Sequence, residues 1–257
     1  MAYEIIDFHT HPFCVDEENI CIYRKGSGMN LDSSVRYLKE MGITKICGSV
    51  ISSREETPWD MVAKSNDRAL QIRDLLGDFY IPGFHVHPDY VDQSCQEIER
   101  MHNLGVRLIG ELVPNYYGWN DYSCSAFDEI LTVAEQYDMV VNFHSLDDDQ
   151  MDAMVSAHPN LVLIAAHPNT MERYQRHLDR MKLSKNYYLD LSGTGLFRHR
   201  MLRYGIDLCG ADRFLFGTDF PVCNPAMYVG GVMMDSLLTA KEKKMILAGN
   251  AKRLLKL

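Results

Sequence analysis

No apolar run in this chain approaches the ~20 residues needed to cross a bilayer, so no membrane partner is expected. The N-terminus, MAYEIIDFHTHPF, has no basic stretch leading into an apolar one, and no secretory signal is expected from it. Cysteines at C-x-x-C spacing are missing, which disfavours a zinc knuckle. The seven cysteines, an odd number, are scattered, several inside apolar segments such as ITKICGSV. That usage suits buried free thiols in a reducing compartment, and a soluble cytoplasmic protein is expected. No Lys/Arg run exceeds two residues and the formal net charge is −9, so phosphate backbones are repelled and nucleic acid is a disfavoured partner. Linkers rich in Pro, Gly or Ser are absent, and so is any low-complexity segment. Residues 1–257 are read as a single domain, long enough to bury a large core. A homo-oligomer is compatible with all of this.

Eight short apolar runs alternate with longer amphipathic stretches: Glu4–Phe8, Ile43–Val50, Phe79–Val86, Val106–Leu112, Met139–His144, Leu161–His167, Tyr187–Ser192 and Arg213–Asp219. Most are nearly continuously apolar, as parallel strands covered on both faces are. Helices are expected between them over Asp32–Met41, Asn66–Leu76, Tyr90–Leu104, Phe127–Tyr137, Gln150–Ala157, Met171–Met181 and Leu196–Leu208. Thr239–Leu257 reads as one or two more. Gly42, Gly77, Gly105 and Gly210 supply stop signals. Eight βα units with right-handed crossovers predict an α/β fold, a closed (β/α)8 TIM barrel.

Active sites of such barrels lie at the C-terminal strand ends. His9 and His11 end the first run, His85 and His87 the third, Glu111 the fourth, His144 the fifth, His167 the sixth and Asp219 the eighth. Residues i and i+2 of a strand point the same way, so His9 and His11 can offer two imidazoles to one cation. Imidazole and carboxylate are the usual ligands of zinc and similar divalent ions. One H-x-H pair is weak evidence. Joined by His144, His167 and Asp219, each at the end of a separate strand, it predicts a metal site. His158 and His167 are both followed by Pro-Asn, yet His158 precedes its strand and is read as structural. His102, His177 and His199 fall in or near helices and are read as surface or packing residues.

The order IDFHTHPF…GEL…VNFHS…LIAAHPN…LFGTDFP…GNAKRLL resembles the amidohydrolase superfamily from Asp7 to Leu255. It is most similar to the branch that includes the aminocarboxymuconate-semialdehyde decarboxylase type. The resemblance implies a (β/α)8 barrel with one or two divalent metals, often zinc. It implies His9, His11, His144 and His167 as ligands, and Asp219 as ligand and proton shuttle. Many members carry a carboxylated lysine at the end of strand four. Here Glu111 stands there with no lysine nearby. It either joins the ligands, bridging two metals as in the similar TatD-type enzymes, or stands behind a one-metal site.

The chemistry expected first is hydrolysis of a small-molecule C–N, C–O or lactone-type bond. A cation held by His9, His11 and Asp219 would lower the pKa of a bound water towards ~7. Asp219, His167 and His144 are then the catalytic candidates. The alternatives are decarboxylation of an aromatic or unsaturated carboxylate, TatD-like phosphoester or DNA hydrolysis, and a non-catalytic metal-binding barrel. Decarboxylation needs a cation for the substrate carboxylate, and Arg54 and Arg198 lie in suitable loops. Tyr116 and Trp119, in the aromatic segment after Glu111, and His87 are further candidates for substrate contact; a packed lid explains the aromatics equally well. Pro12–Asn30 is a second lid candidate.

Overall fold

Each of the eight apolar runs contains a strand, and each strand pairs in parallel with the next. The computed structural model describes residues 3–23, 26–51, 57–196 and 198–257. The strands are β1 (Ile6–Asp7), β2 (Lys45–Ser49), β3 (Tyr80–Phe84), β4 (Leu108–Leu112), β5 (Val140–His144), β6 (Val162–Ala166), β7 (Tyr187–Asp190) and β8 (Phe214–Leu215). The last strand returns to the first. Phe8 N–H donates to Phe216 O (2.8 Å), Asp219 N–H to His9 O (2.8 Å) and His11 N–H to Phe220 O (2.7 Å). The sheet is therefore closed, and the fold is the expected (β/α)8 barrel.

The helices are α1 (Leu31–Glu40), α2 (Trp59–Leu76), α3 (Val91–Asn103), α4 (Ser125–Gln136), α5 (Asp148–Ala157), α6 (Met171–Leu183), α7 (Met201–Cys209) and α8 (Pro225–Met233). The C-terminal run follows as α9 (Ala240–Lys244), a π turn (Met245–Gly249) and α10 (Asn250–Leu255). Side chains of Asn30, Thr170 and Thr239 cap α1, α6 and α9 by accepting from Ser33, Arg173 and Glu242 N–H. Three helices depart from expectation, and the first is α2, which starts at Trp59, seven residues before the expected Asn66. The α7 helix starts at Met201, not Leu196, because Gly193 and Gly195 take φ of +60° and +122° and hold the preceding chain out of helix. The α8 helix was not anticipated: PAMYVGGVM carries no polar face, so it has no helical periodicity to read.

Apolar side chains form two layers. One lies between sheet and helices and includes Val35, Ile46, Ile98, Val141 and Leu163. The other fills the lower barrel with Ile6, Phe8, Leu108, Val140, Ile164, Tyr188 and Leu215, and is closed from below by Ala248, Ala251, Leu254 and Leu255. The π turn leaves Ile246 O to accept Phe216 N–H (3.0 Å), and Asn250 Nδ2–H donates to Ala211 O and Phe214 O. So the C-terminal helices plug the barrel floor, and among the described residues the strand-end cluster lies towards the opposite rim. The seven thiols are all free; Cys47 alone among them is fully buried.

Strands β2, β3 and β4 approach closely where they carry glycine. A Cβ on Gly83 would lie 2.1 Å from Gly110 O, a backbone atom that cannot swing away. Gly83→Ala is expected to cost about 3 kcal/mol or more, at or beyond the upper end of ordinary overpacking. Denaturant unfolding would measure the loss; wild-type stability would refute the close approach.

Candidate metal centre

The residues that end the strands converge above the apolar barrel floor. On β5, Val140, Asn142 and His144 point the same way in succession, running from the core layer to the rim. The β4–β5 register shifts between Ile109 and Leu112, an irregularity of the kind that re-aims a side chain, and Glu111 lies within it. His167 and Asp219 have φ of +68° and +66°, left-handed values that non-glycine residues adopt at a cost. Both turn sharply off their strand ends.

Glu111 is the centre of the cluster. Its Oε2 lies 3.1 Å from His9 Nε2 and 3.4 Å from His11 Nε2. Its Oε1 lies 3.0 Å from His144 Nδ1 and 3.4 Å from His167 Nε2. Asp219 Oδ1 lies 3.7 Å from His9 Nε2 and 3.5 Å from His11 Nε2. The groups His9, His11, Asp219 and His9, Glu111, His167 can each surround one ion.

The ring orientations are held from behind. His11 Nδ1–H donates to Ser49 O (3.1 Å), an atom that only accepts, so Nδ1 carries the proton. His9 Nδ1–H donates to the Asp190 carboxylate (2.9 Å). His167 Nδ1 meets Ser192 Oγ (2.9 Å). With Nδ1 protonated in both rings, the Nε2 atoms of His9 and His11 face each other across 3.2 Å, an arrangement that is favourable only with a proton or a cation close by. Borderline divalent ions such as zinc or manganese suit this imidazole–carboxylate set.

The electrostatics agree. Burial opposes a charge on His9, but the Glu111 and Asp190 carboxylates outweigh it and raise its pKa well above the usual imidazole range. His11 and His167 shift up as well, burial being overcome by Asp219 and Glu111 for the first and by Glu111 for the second. Burial likewise opposes ionisation of Glu111, yet the surrounding imidazoles hold it well below the usual carboxylate range. Asp190 falls to about 2 because His9 overcomes its desolvation. Such a cluster gathers protons when no cation is present and exchanges them for one.

Asp190 was not singled out from the sequence. It accepts from Asn142 Nδ2–H (2.9 Å), Ser192 N–H (3.1 Å) and the Ser192 hydroxyl as well as from His9. A charged residue in the middle of the apolar run YYLDLS was the available signal. Asp7 is similar: it accepts from His9 N–H, Thr218 N–H and Thr218 Oγ–H and ties β1 to β8. Burial raises its pKa to about 7.

The substrate candidates scatter. His87 is buried, with Nε2–H donating to Tyr117 O (2.8 Å) and Nδ1 accepting from Asp89 N–H (3.1 Å), so neither nitrogen is left for a ligand. Trp119 packs on Tyr122 and Phe127 beneath the β4 loop. Tyr116 is exposed. Arg198 donates to Asn169 O (2.6 Å), tying the loop after β7 to that after β6. Arg54 lies outside the described residues. His85 is buried, its Nε2–H donating to Val50 O (3.0 Å). His158 sits below the barrel against Asp128 and Glu135, while His177 is packed between Ser145 and Tyr187.

A closed parallel barrel with imidazoles and carboxylates converging on its C-terminal rim defines a metal-dependent barrel enzyme. The model of the amidohydrolase family matches residues 6–257, and the chain belongs to that family. No curated protein matches the sequence. Among solved structures it is similar to a 2,6-dihydroxybenzoate decarboxylase from Rhizobium, with 17% identity over 99% of each chain and a TM-score of 0.77. A dihydroxybenzoic acid decarboxylase from Polaromonas sp. JS666, with bound manganese and the inhibitor 2-nitroresorcinol, is 17% identical over 99% of this chain and 97% of its own, TM-score 0.75. A 5-carboxyvanillate decarboxylase from Sphingomonas paucimobilis is 13% identical over 99% of each chain, TM-score 0.74. At these identities the likeness is one of fold.

A chelator is expected to lower the melting temperature by about 5–10 °C. A site filled at ~100 times its Kd adds about 2.7 kcal/mol, and a domain of this size shifts by roughly 2–4 °C per kcal/mol. Recovery on adding manganese or zinc is expected in a thermal melt; an unchanged melt would count against the centre.

Proposed function

We propose that this chain is a metal-dependent decarboxylase of a small aromatic or unsaturated carboxylate. The observation that carries the reading is the division of the cluster about Glu111: His9 and His11 face one oxygen, His144 and His167 the other. The named activities of the three similar structures favour this reaction over others. His9, His11 and Asp219 would hold a divalent cation, which when bound supplies positive charge for a substrate carboxylate and for charge developing beside it. That leaves one imidazole pair for proton transfer. Loss of CO₂ leaves an electron pair on carbon, and one proton must be delivered there. His144 suits the task. Its side chain is 36% exposed while that of His167 is 8% exposed, so His144 can be reprotonated from solvent. Asp190 and Ser49 hold the ligand rings in place meanwhile.

Hydrolysis of a small-molecule C–N, C–O or lactone-type bond is the second reading, and it rests on the same division about Glu111. Glu111 presents an oxygen to each imidazole pair, as a carboxylate lying between two cations must, and two-cation sites are common in hydrolases. One experiment separates the two. Metal-loaded protein is incubated in ¹⁸O-water with 2,6-dihydroxybenzoate, 5-carboxyvanillate and, in parallel, an aromatic lactone and an anilide, with metal content measured alongside. One CO₂ per product from the acids and no ¹⁸O in any product is expected. Product carrying ¹⁸O without CO₂ release would replace decarboxylation by hydrolysis.

A further inference from the structure

Beside the cluster lies a pocket of about 270 Å³ formed by the segments after β7 and β8. Gly193, Leu196, Cys223, Met227, Tyr228 and Gly231 line most of it, with no charged side chain among the lining residues. Its polar atoms are largely spent. The Tyr228 hydroxyl donates to Gly193 O, and Asn224 Oδ1 accepts from Ala226 N–H and Tyr37 O–H. What remains for a ligand is an apolar surface.

The pocket borders the metal centre at two points. Cys223 Sγ lies 4.0 Å from Asp219 Oδ2. Gly193 packs so tightly on His167 that a Cβ there would fall 2.3 Å from Nδ1 of the ring. Two of the residues that line the pocket thus sit directly against cluster residues. Its size falls just below that of most ligand sites, which run from roughly 300 to 1,000 Å³, and so suits only a small group.

We infer that this pocket is the specificity site for the uncharged part of the substrate, and that it takes a single aromatic ring or a short apolar group. The inference rests on the proposed function for the reacting carboxylate, and on the pocket itself for the ring. A sugar or a second charged group would lose its hydration there without finding partners. Gly231 controls the volume. It has an ordinary helical φ, and the nearest atom to a Cβ built on it is Leu196 Cδ2, a lining atom, at 3.5 Å. A larger side chain can therefore grow into the pocket without backbone strain. Gly230, its neighbour on α8, has nothing within 4 Å and does not line the pocket.

The test uses ¹⁹F NMR titration of 4-fluorophenol, an uncharged ring, against metal-loaded wild type, Gly231→Leu and Gly230→Leu. Both variants remove a helical glycine, so helix effects are matched. Wild type and Gly230→Leu are expected to bind alike, with Gly231→Leu at least about tenfold weaker, or about 1.4 kcal/mol. Equal binding by Gly231→Leu, equal loss in Gly230→Leu, or no binding by wild type would each overturn the inference. The same three proteins are assayed for CO₂ release from aromatic acids. Ring binding that depends on Gly231, with no CO₂ from any acid, leaves the pocket standing and removes the reaction. CO₂ release at wild-type kcat/KM by Gly231→Leu leaves the reaction standing and removes the pocket.

Discussion

Glu111→Gln protein, dialysed free of loose metal, is expected to bind its cation at least about 100-fold more weakly than wild type. Replacing partners that merely support a ligand already costs 10–100-fold in affinity or activity. Glu111 touches the metal-binding edges of His9, His11 and His167 and also reaches His144. The amide keeps the shape and removes the charge. One of its two ends becomes an N–H donor, which repels a cation and whichever imidazole nitrogen it faces already protonated. Loss of one full charge from a buried site outweighs the loss of a supporting hydrogen bond, so activity is expected to fall with affinity. Metal content per chain by mass spectrometry checks the first effect, and circular dichroism checks that the barrel is intact. Stoichiometric metal in folded Glu111→Gln would place Glu111 outside the ligand set.

Asp190→Asn is expected to weaken metal binding by about 10–100-fold, the range for a group that orients a metal ligand. The carboxylate accepts from His9 Nδ1–H, Asn142 Nδ2–H, Ser192 N–H and Ser192 Oγ–H in a site with no exposure. An amide accepts through only one end. Its NH₂ must then face a donor, leaving a buried group unpaired at about 1–3 kcal/mol. The ring of His9 loses the partner that keeps its proton on Nδ1, and Nε2 is no longer held as a lone pair. A titration of metal binding checks this, and a stability measurement reads the cost to the fold. Unchanged affinity would mean that Asp190 acts on stability alone.

Much of the site was legible because the chain alternates strand and helix. Once eight parallel strands close, the C-terminal residue of each must reach the same rim, so His9, His11, His144, His167 and Asp219 could be grouped from their places in the apolar runs. Glu111 was legible as a strand end but not as the hub, since the register shift in β4 that aims it leaves no mark in GVRLIGEL. Asp190 was hidden for a different reason. The apolar run continues past it to Ser192, which hides that the strand ends at Asp190, and the residue it acts on, His9, is far away in sequence. The aromatic segment after Glu111 shows the limit in reverse: Trp119 and Tyr122 read equally as a ligand platform or as packing, and their burial against Phe127 is a matter of three-dimensional fit.

The sequence by itself determined the architecture and the kind of atom at the rim. Apolar periodicity depends on neighbours along the chain, and strand ends inherit their position from it. Only the tertiary structure decided that Glu111 lies between two imidazole pairs and that Asp190 sets the His9 tautomer. It also decided that an apolar pocket adjoins Asp219 and His167 beside the unanticipated α8. Those features depend on distances of a few ångströms between residues far apart in the chain, set by barrel closure and not by any local pattern.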